Sequence, residues 1–147
     1  MNEKPSDFHE NLSIMDSLIQ LSFLVQGVLT RVGAEYDVSI IQIRLFGILR
    51  DRELSMFQLA QYLSLDKSSI TGLITRAERR GLVERSNSPI DGRVIHVKVT
   101  AEGQEMIKVV SSNIERQIKA ITANLSEKES SQFITLASKM LLPYSQQ

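Results

Sequence analysis

With 147 residues, 42% of them hydrophobic, the chain suffices for one compact domain or for a small domain carrying long arms. It contains no cysteine, which excludes disulfides, thiolate zinc sites and thiol-based redox sensing. The formal net charge is zero but unevenly spread: residues 66–98 hold 7 basic and 4 acidic side chains, against 5 and 8 in residues 1–65. Positive charge therefore gathers in the central third, a distribution that matters more than the sum for an anionic partner.

No uninterrupted run of 18 apolar residues is present, so no membrane span is expected. The opening "MNEKPSDFHEN" is polar and acidic where a secretory signal is basic and then apolar, so a cytoplasmic protein is the expectation.

In chain order, residues 11–34 read as one long helix, striped by Ile14, Leu18, Leu21, Val25, Val28 or Leu29, and Val32. "YDVS" interrupts it, and Ser39 caps a second helix to about Arg50, with Ile41, Leu45, Ile48 and Leu49 inward. Ser55 caps a short third helix, "MFQLAQYL", whose inward positions are Leu59, Ala60 and Leu63. After the tight connection "SLD", Asp66 caps a fourth helix that ends at Gly81, a residue suited to the left-handed position beyond a helix end.

The period then changes from helical to alternating. "LVERS" and "VIHVKVT" read as two strands around "NSPIDG", which is dense in turn formers, so a β-hairpin is expected. Thr100 opens a long fifth helix with Ile107, Val110, Ile114, Ile118 and Ile121 on one stripe. "SEKE" at 126–129 fits a capping box and starts a last helix lined by Phe133, Leu136, Ala137, Met140 and Leu141. The fold class is thus mainly α: a winged helix-turn-helix over residues 37–99, with long N- and C-terminal dimerisation helices in residues 1–36 and 100–147. The small centre cannot cover such long stripes, and a second copy of the chain is the simplest partner.

The fourth helix, "DKSSITGLITRAERRG", carries the functional signal. At about 100° per residue, Ile70, Leu73, Ile74 and Ala77 share one buried stripe. Opposite them lie Ser68, Thr71, Gly72, Thr75, Arg76 and Arg79. A helix entering the DNA major groove needs such a face, because short hydroxyls permit close approach and arginine bonds guanine bidentately. Glycine in mid-helix costs about 1 kcal/mol relative to alanine, so Gly72 calls for a reason such as close approach. At the hairpin tip, "SPIDGRV" places Arg93 after a sharp turn, poised for the narrow minor groove. Asp91 cannot contact DNA favourably and is expected to shape the wing, by capping the turn or pairing with an arginine; in the bland alternative Arg93 merely balances Asp91.

These segments resemble the MarR family of bacterial transcription regulators over nearly the whole chain. "VSIIQIRLFGIL" is similar to the family's L-T-x-x-Q-x-x-V-L segment, with Gln42 in place. "LAQYLSLDKSSITGLITRAERRGLVER" resembles its helix-turn-helix core, and "DGRVIHVKVTAEG" its wing and following helix start. The resemblance implies a homodimer, interlocked through its terminal helices, that binds double-stranded DNA at a pseudo-palindromic site; a repressor is the working reading, and an activator would use the same contacts. It assigns Lys67, Ser68, Ser69, Thr71, Gly72, Thr75 and Arg76 to the recognition helix and Arg93 to the wing tip. Position 72, often arginine in the family, is glycine here, and Ala77 replaces a commonly larger or polar residue.

The resemblance also implies release by a small organic effector held between the arms and the winged unit, for which Val25, Leu29, Tyr36 and Phe46 are the candidate lining. No cofactor or metal is expected, since His9 and His96 stand far apart in the chain. Nor is an enzyme: the sequence shows no Gly-rich phosphate loop, nucleophile elbow or His/carboxylate constellation. The competing reading is a winged-helix module for protein contacts that lacks sequence-specific DNA binding.

Overall fold

The computed structural model describes residues 12–145. Helices α1 (Ile14–Tyr36), α2 (Ile40–Leu49), α3 (Met56–Leu63), α4 (Lys67–Arg79), α5 (Ala101–Ile121) and α6 (Glu127–Leu141) are joined by strands β1 (Leu54–Ser55), β2 (Val83–Asn87) and β3 (Ile95–Val99). A short 3-10 turn, Leu142–Tyr144, follows α6. The start expected for the first helix, residue 11, and His9 lie outside the described residues.

The caps explain most element boundaries. Ser13, Ser39, Ser55, Asp66, Thr100 and Ser126 each accept a backbone N–H of the first turn, satisfying a donor that the helix leaves without a partner. Ser39 with Gln42, Ser55 with Gln58 and Ser126 with Glu129 form reciprocal capping boxes. Helix α1 runs two residues beyond the expected end because Asp37, at φ 54°, takes the left-handed cap position. Gly81 likewise sits at φ +72°, where a side chain would be strained.

The expected hairpin forms, but it is part of a three-stranded antiparallel sheet in the order β1-β3-β2. The two-residue β1 pairs Leu54 with Val97 and Ser55 with His96. It is too short to display alternation, so sequence periodicity cannot find it.

One core holds the molecule. Leu45 and Leu49 of α2, Leu59 of α3, Leu73 and Ile74 of α4, and Val97 of β3 are essentially inaccessible. Val28 and Val32 of α1 and Ile107 and Val110 of α5 belong to the same buried cluster, so both arms are rooted in the winged unit. Gly103 is the point of closest approach: a Cβ there would stand 2.1 Å from the Leu82 carbonyl oxygen and 2.5 Å from Val99 Cγ1. The arms' outer parts are bare. Ile14 and Phe23 on α1 are 79% and 69% exposed, and no residue of α6 is buried.

Helix α1 is long and apolar enough to cross a bilayer by length and composition. Its last turns instead enter the core through Val28, Val32 and Gly33, while Gln20, Ser22 and Gln26 interrupt its apolar length. That pattern suits a helix paired along one stripe rather than one surrounded by lipid.

Replacing Gly103 by alanine forces backbone and Val99 apart and is expected to destabilise the fold by about 1–3 kcal/mol. Urea denaturation of both proteins at equal concentration measures it, since association adds to apparent stability.

Candidate DNA-binding surface

Helix α4 is set by its inner face. Ile70 and Leu73 are 2% exposed, and Ile74 and Ala77 are fully buried. The opposite face is therefore turned outward: Lys67, Ser68, Ser69, Thr71, Arg76 and Arg79 are exposed, and Gly72 and Thr75 half-buried. The helical wheel read from the sequence is the arrangement found.

At the helix start, the Asp66 carboxylate accepts the Ser69 backbone N–H at 2.7 Å and the Ser68 hydroxyl at 3.0 Å. The Ser69 backbone hydrogen bond, followed by those of the Ser69 and Ser68 side chains, holds the Asp66 carboxyl below its ordinary value. Ser68 is thus partly committed to the cap. Thr71 donates to the Lys67 carbonyl at 2.7 Å.

Gly72 has a local reason. A Cβ at position 72 would stand 3.1 Å from Nη1 of Arg76, so the Arg76 guanidinium lies back along the helix over the space that glycine leaves. Where the resembling family often carries an arginine, this chain holds the head of another, one turn away.

The wing tip is a built turn. Buried Ser88 accepts the backbone N–H groups of Ile90 and Asp91, and its own N–H donates to the Val94 carbonyl. Asp91 accepts the Arg93 backbone N–H at 3.1 Å and its Nε at 3.2 Å. These hydrogen bonds, the backbone one foremost, depress the Asp91 carboxyl. Arg93 is 93% exposed in its side chain yet ion-paired with Asp91, so both roles weighed for Asp91 are found together.

Between α3, α4 and the wing runs an open groove of about 860 Å³ whose cations are Lys67, Arg85 and Arg93, with Thr71 beside them. Arg85 is absent from the residues expected from sequence, although it closes the quoted segment "GLVER". It reaches from β2 to α4, donating from Nη2 to Thr75 Oγ1 at 2.8 Å. Nothing in the alternation of β2 announces that contact, because its partner lies 10 residues away on another element. Arg80 is likewise absent from that expectation: its guanidinium donates to the Tyr36 and Asp37 carbonyls at the end of α1.

Of the four residues expected to line an effector pocket, one borders the small cavity between α2 and α5. Phe46 lines a cavity of about 110 Å³ between α2 and α5, with Ile43, Gly47, Arg50, Ile107 and Val110. Val25, Leu29 and Tyr36 are not part of that lining. Val25 faces outward on the bare stripe of α1, and the Tyr36 hydroxyl is taken by Asn113 of α5. His96 lies on β3 with Nδ1 3.4 Å from Glu53.

Comparison with known proteins places this surface in context. Residues 36–94 match the profile of the MarR family. The chain is 26% identical over 126 residues to the uncharacterized HTH-type transcriptional regulator YdgJ of Bacillus subtilis (strain 168), covering 82% of this chain and 77% of that protein. It is 25% identical over 134 residues to the homoprotocatechuate degradative operon repressor of Escherichia coli, covering 90% and 89%. The crystal structure of NadR in complex with 4-hydroxyphenylacetate shares the fold at a TM-score of 0.73 and 23% identity, covering 95% of this chain and 97% of NadR.

Replacing Asp66 by alanine is expected to fray the first turn of α4, read as lost hydrogen-exchange protection at Ser69, whereas Asp66→Asn retains the cap. The folded carboxyl is depressed, so its stabilising contribution is present above the ordinary value of 3.8 and is lost as pH falls through the lower folded one. An acid titration that moves Ser69 protection only below about pH 4 checks the sign.

Proposed function

The chain belongs to the MarR family, and on that footing we propose that it acts as a homodimeric repressor inside the cell, seating two winged units on a pseudo-palindromic promoter site. Family members bind DNA and dimerise. The observation that carries the reading here is the division of α4 into a fully packed face and an open face of hydroxyls and arginines. On this reading the two α4 helices of a dimer enter successive major grooves roughly 34 Å apart. Lys67, Arg76, Arg79 and Arg93 supply the phosphate attraction, and Ser68, Ser69, Thr71 and Thr75 set the register, with Gly72 leaving room. The protein-contact module has no observation in its favour.

The bare apolar faces support the second copy. Ile14, Leu18 and Phe23 of α1 and Phe133, Leu136 and Leu141 of α6 are exposed at both ends of the chain. Each such side chain is worth about 1.5–3 kcal/mol once fully removed from water, so a shared interface has ample drive.

A small aromatic acid is proposed as the releasing effector, supported by the ligand in the NadR crystal and by the apolar cavity at Phe46 with Arg50 beside it. No cofactor enters this reading.

A footprint on the DNA upstream of its own coding sequence should show two protected half-sites. Equal affinity for shuffled DNA at near-physiological salt would sink the reading. Arg76→Ala and Arg79→Ala are each expected to lower the slope of log K against log salt by about 0.9.

Leu18→Asp combined with Phe133→Asp should convert the sedimenting species to single subunits and abolish DNA retention together. For the effector, 4-hydroxyphenylacetate at millimolar concentration should weaken DNA binding about tenfold. Gly47→Leu, whose Cβ meets nothing within 4 Å, should fill the cavity and remove that response while leaving DNA affinity intact.

A further inference from the structure

We infer that Arg85 orients the Thr75 hydroxyl, occupying one of its lone pairs and directing its proton toward an acceptor atom on DNA. The inference rests on the DNA-binding reading above and assigns two residues a joint role within it.

A threonine hydroxyl has one proton and two lone pairs, and in a helix the proton commonly goes to the carbonyl one turn back. Thr71, Thr122, Thr135 and Ser138 all do this, donating at 2.7–3.0 Å to the carbonyl four residues earlier. Among the described residues no such bond is made by Thr75, which instead accepts Nη2 of Arg85 at 2.8 Å. A guanidinium only donates, so this contact occupies a lone pair on Oγ1 and repels the hydroxyl proton. That proton is steered away from Arg85, toward the open side of α4.

Arg85 is itself held in place. Its backbone is set in the sheet opposite Val97, and its Nε lies 3.9 Å from the Glu78 carboxylate, one turn beyond Thr75 on α4. Glu78 partly balances the guanidinium, so Arg85 acts on DNA through Thr75 rather than as a free phosphate-binding cation. Thr75 thus differs from Thr71, whose proton is already spent and which faces DNA as an acceptor. The acceptors open to the Thr75 proton are purine N7, guanine O6, thymine O4 and phosphate oxygen.

The test uses the full-length protein and a duplex selected by it from random sequence. Single base-pair substitutions and single neutral methylphosphonates are scanned across one half-site for wild type, Thr75→Val, Thr75→Ser, Arg85→Ala and the double variant Thr75→Val/Arg85→Ala. Thr75→Val, nearly isosteric, is expected to lower affinity about tenfold, with Thr75→Ser staying close to wild type.

Arg85→Ala should erase sensitivity at the same scanned position as Thr75→Val, and the double variant should be no weaker than either single one. Loss at a base pair identifies a base acceptor, and loss at a methylphosphonate identifies a phosphate; either supports the proposal. Wild-type affinity for Thr75→Val overturns it, as do additive effects, different positions for the two variants, or a uniform loss that leaves every position sensitive, the mark of a structural role. A wild-type protein that fails to prefer its selected duplex over a shuffled one overturns the DNA-binding reading itself, whatever the variants do.

Discussion

Burial of one side of α4 is the constraint on which the rest depends. Ile70, Leu73, Ile74 and Ala77 sit in the common core at 2% exposure or less. A rotation of the helix by one residue, about 100°, would expose this stripe and bury arginines and hydroxyls in its place. The outward presentation of Thr71, Thr75, Arg76 and Arg79 is therefore not a separate feature to be stabilised. It follows from the packing that folds the domain.

Both ends of that helix are tied to elements that set its position. Asp66 holds the first turn through the Ser69 backbone N–H, and Arg80 at the far end binds the Tyr36 and Asp37 carbonyls, which the end of α1 leaves without helical partners. The Tyr36 hydroxyl meets Asn113 on α5. Helix α4 and the arms are thus joined by polar contacts as well as by the core that Val28, Val32, Ile107 and Val110 share with it. The positioning of α4 and the geometry of the arms are mechanically one problem.

Charge is handled locally rather than globally. The chain is neutral overall, yet Lys67, Arg76 and Arg79 stand open on α4, while Asp91 and Glu78 lie against Arg93 and Arg85. A neutral protein can present a positive face because its compensating carboxylates lie largely elsewhere, and nearby Asp66, Asp91 and Glu78 cap α4, shape the wing and steady Arg85. In the same way Gly72 makes room for the Arg76 side chain, so a residue that weakens a helix on intrinsic grounds has a local use.

Periodicity and capping chemistry are local, and they made much of this protein readable from its residues alone. The helix order, the N-caps at Ser39, Ser55, Asp66, Thr100 and Ser126, the left-handed Gly81 and the two faces of α4 all follow from neighbours within a turn or two. Strand β1 was not readable, because two residues carry no period and pair only once β3 is beside them. The reach of Arg85 to Thr75, the anchoring of Arg80 on α1 and the cavity beside Phe46 were decided by tertiary structure. Each depends on where side chains from distant elements meet, and a one-dimensional pattern of polar and apolar residues does not encode that distance.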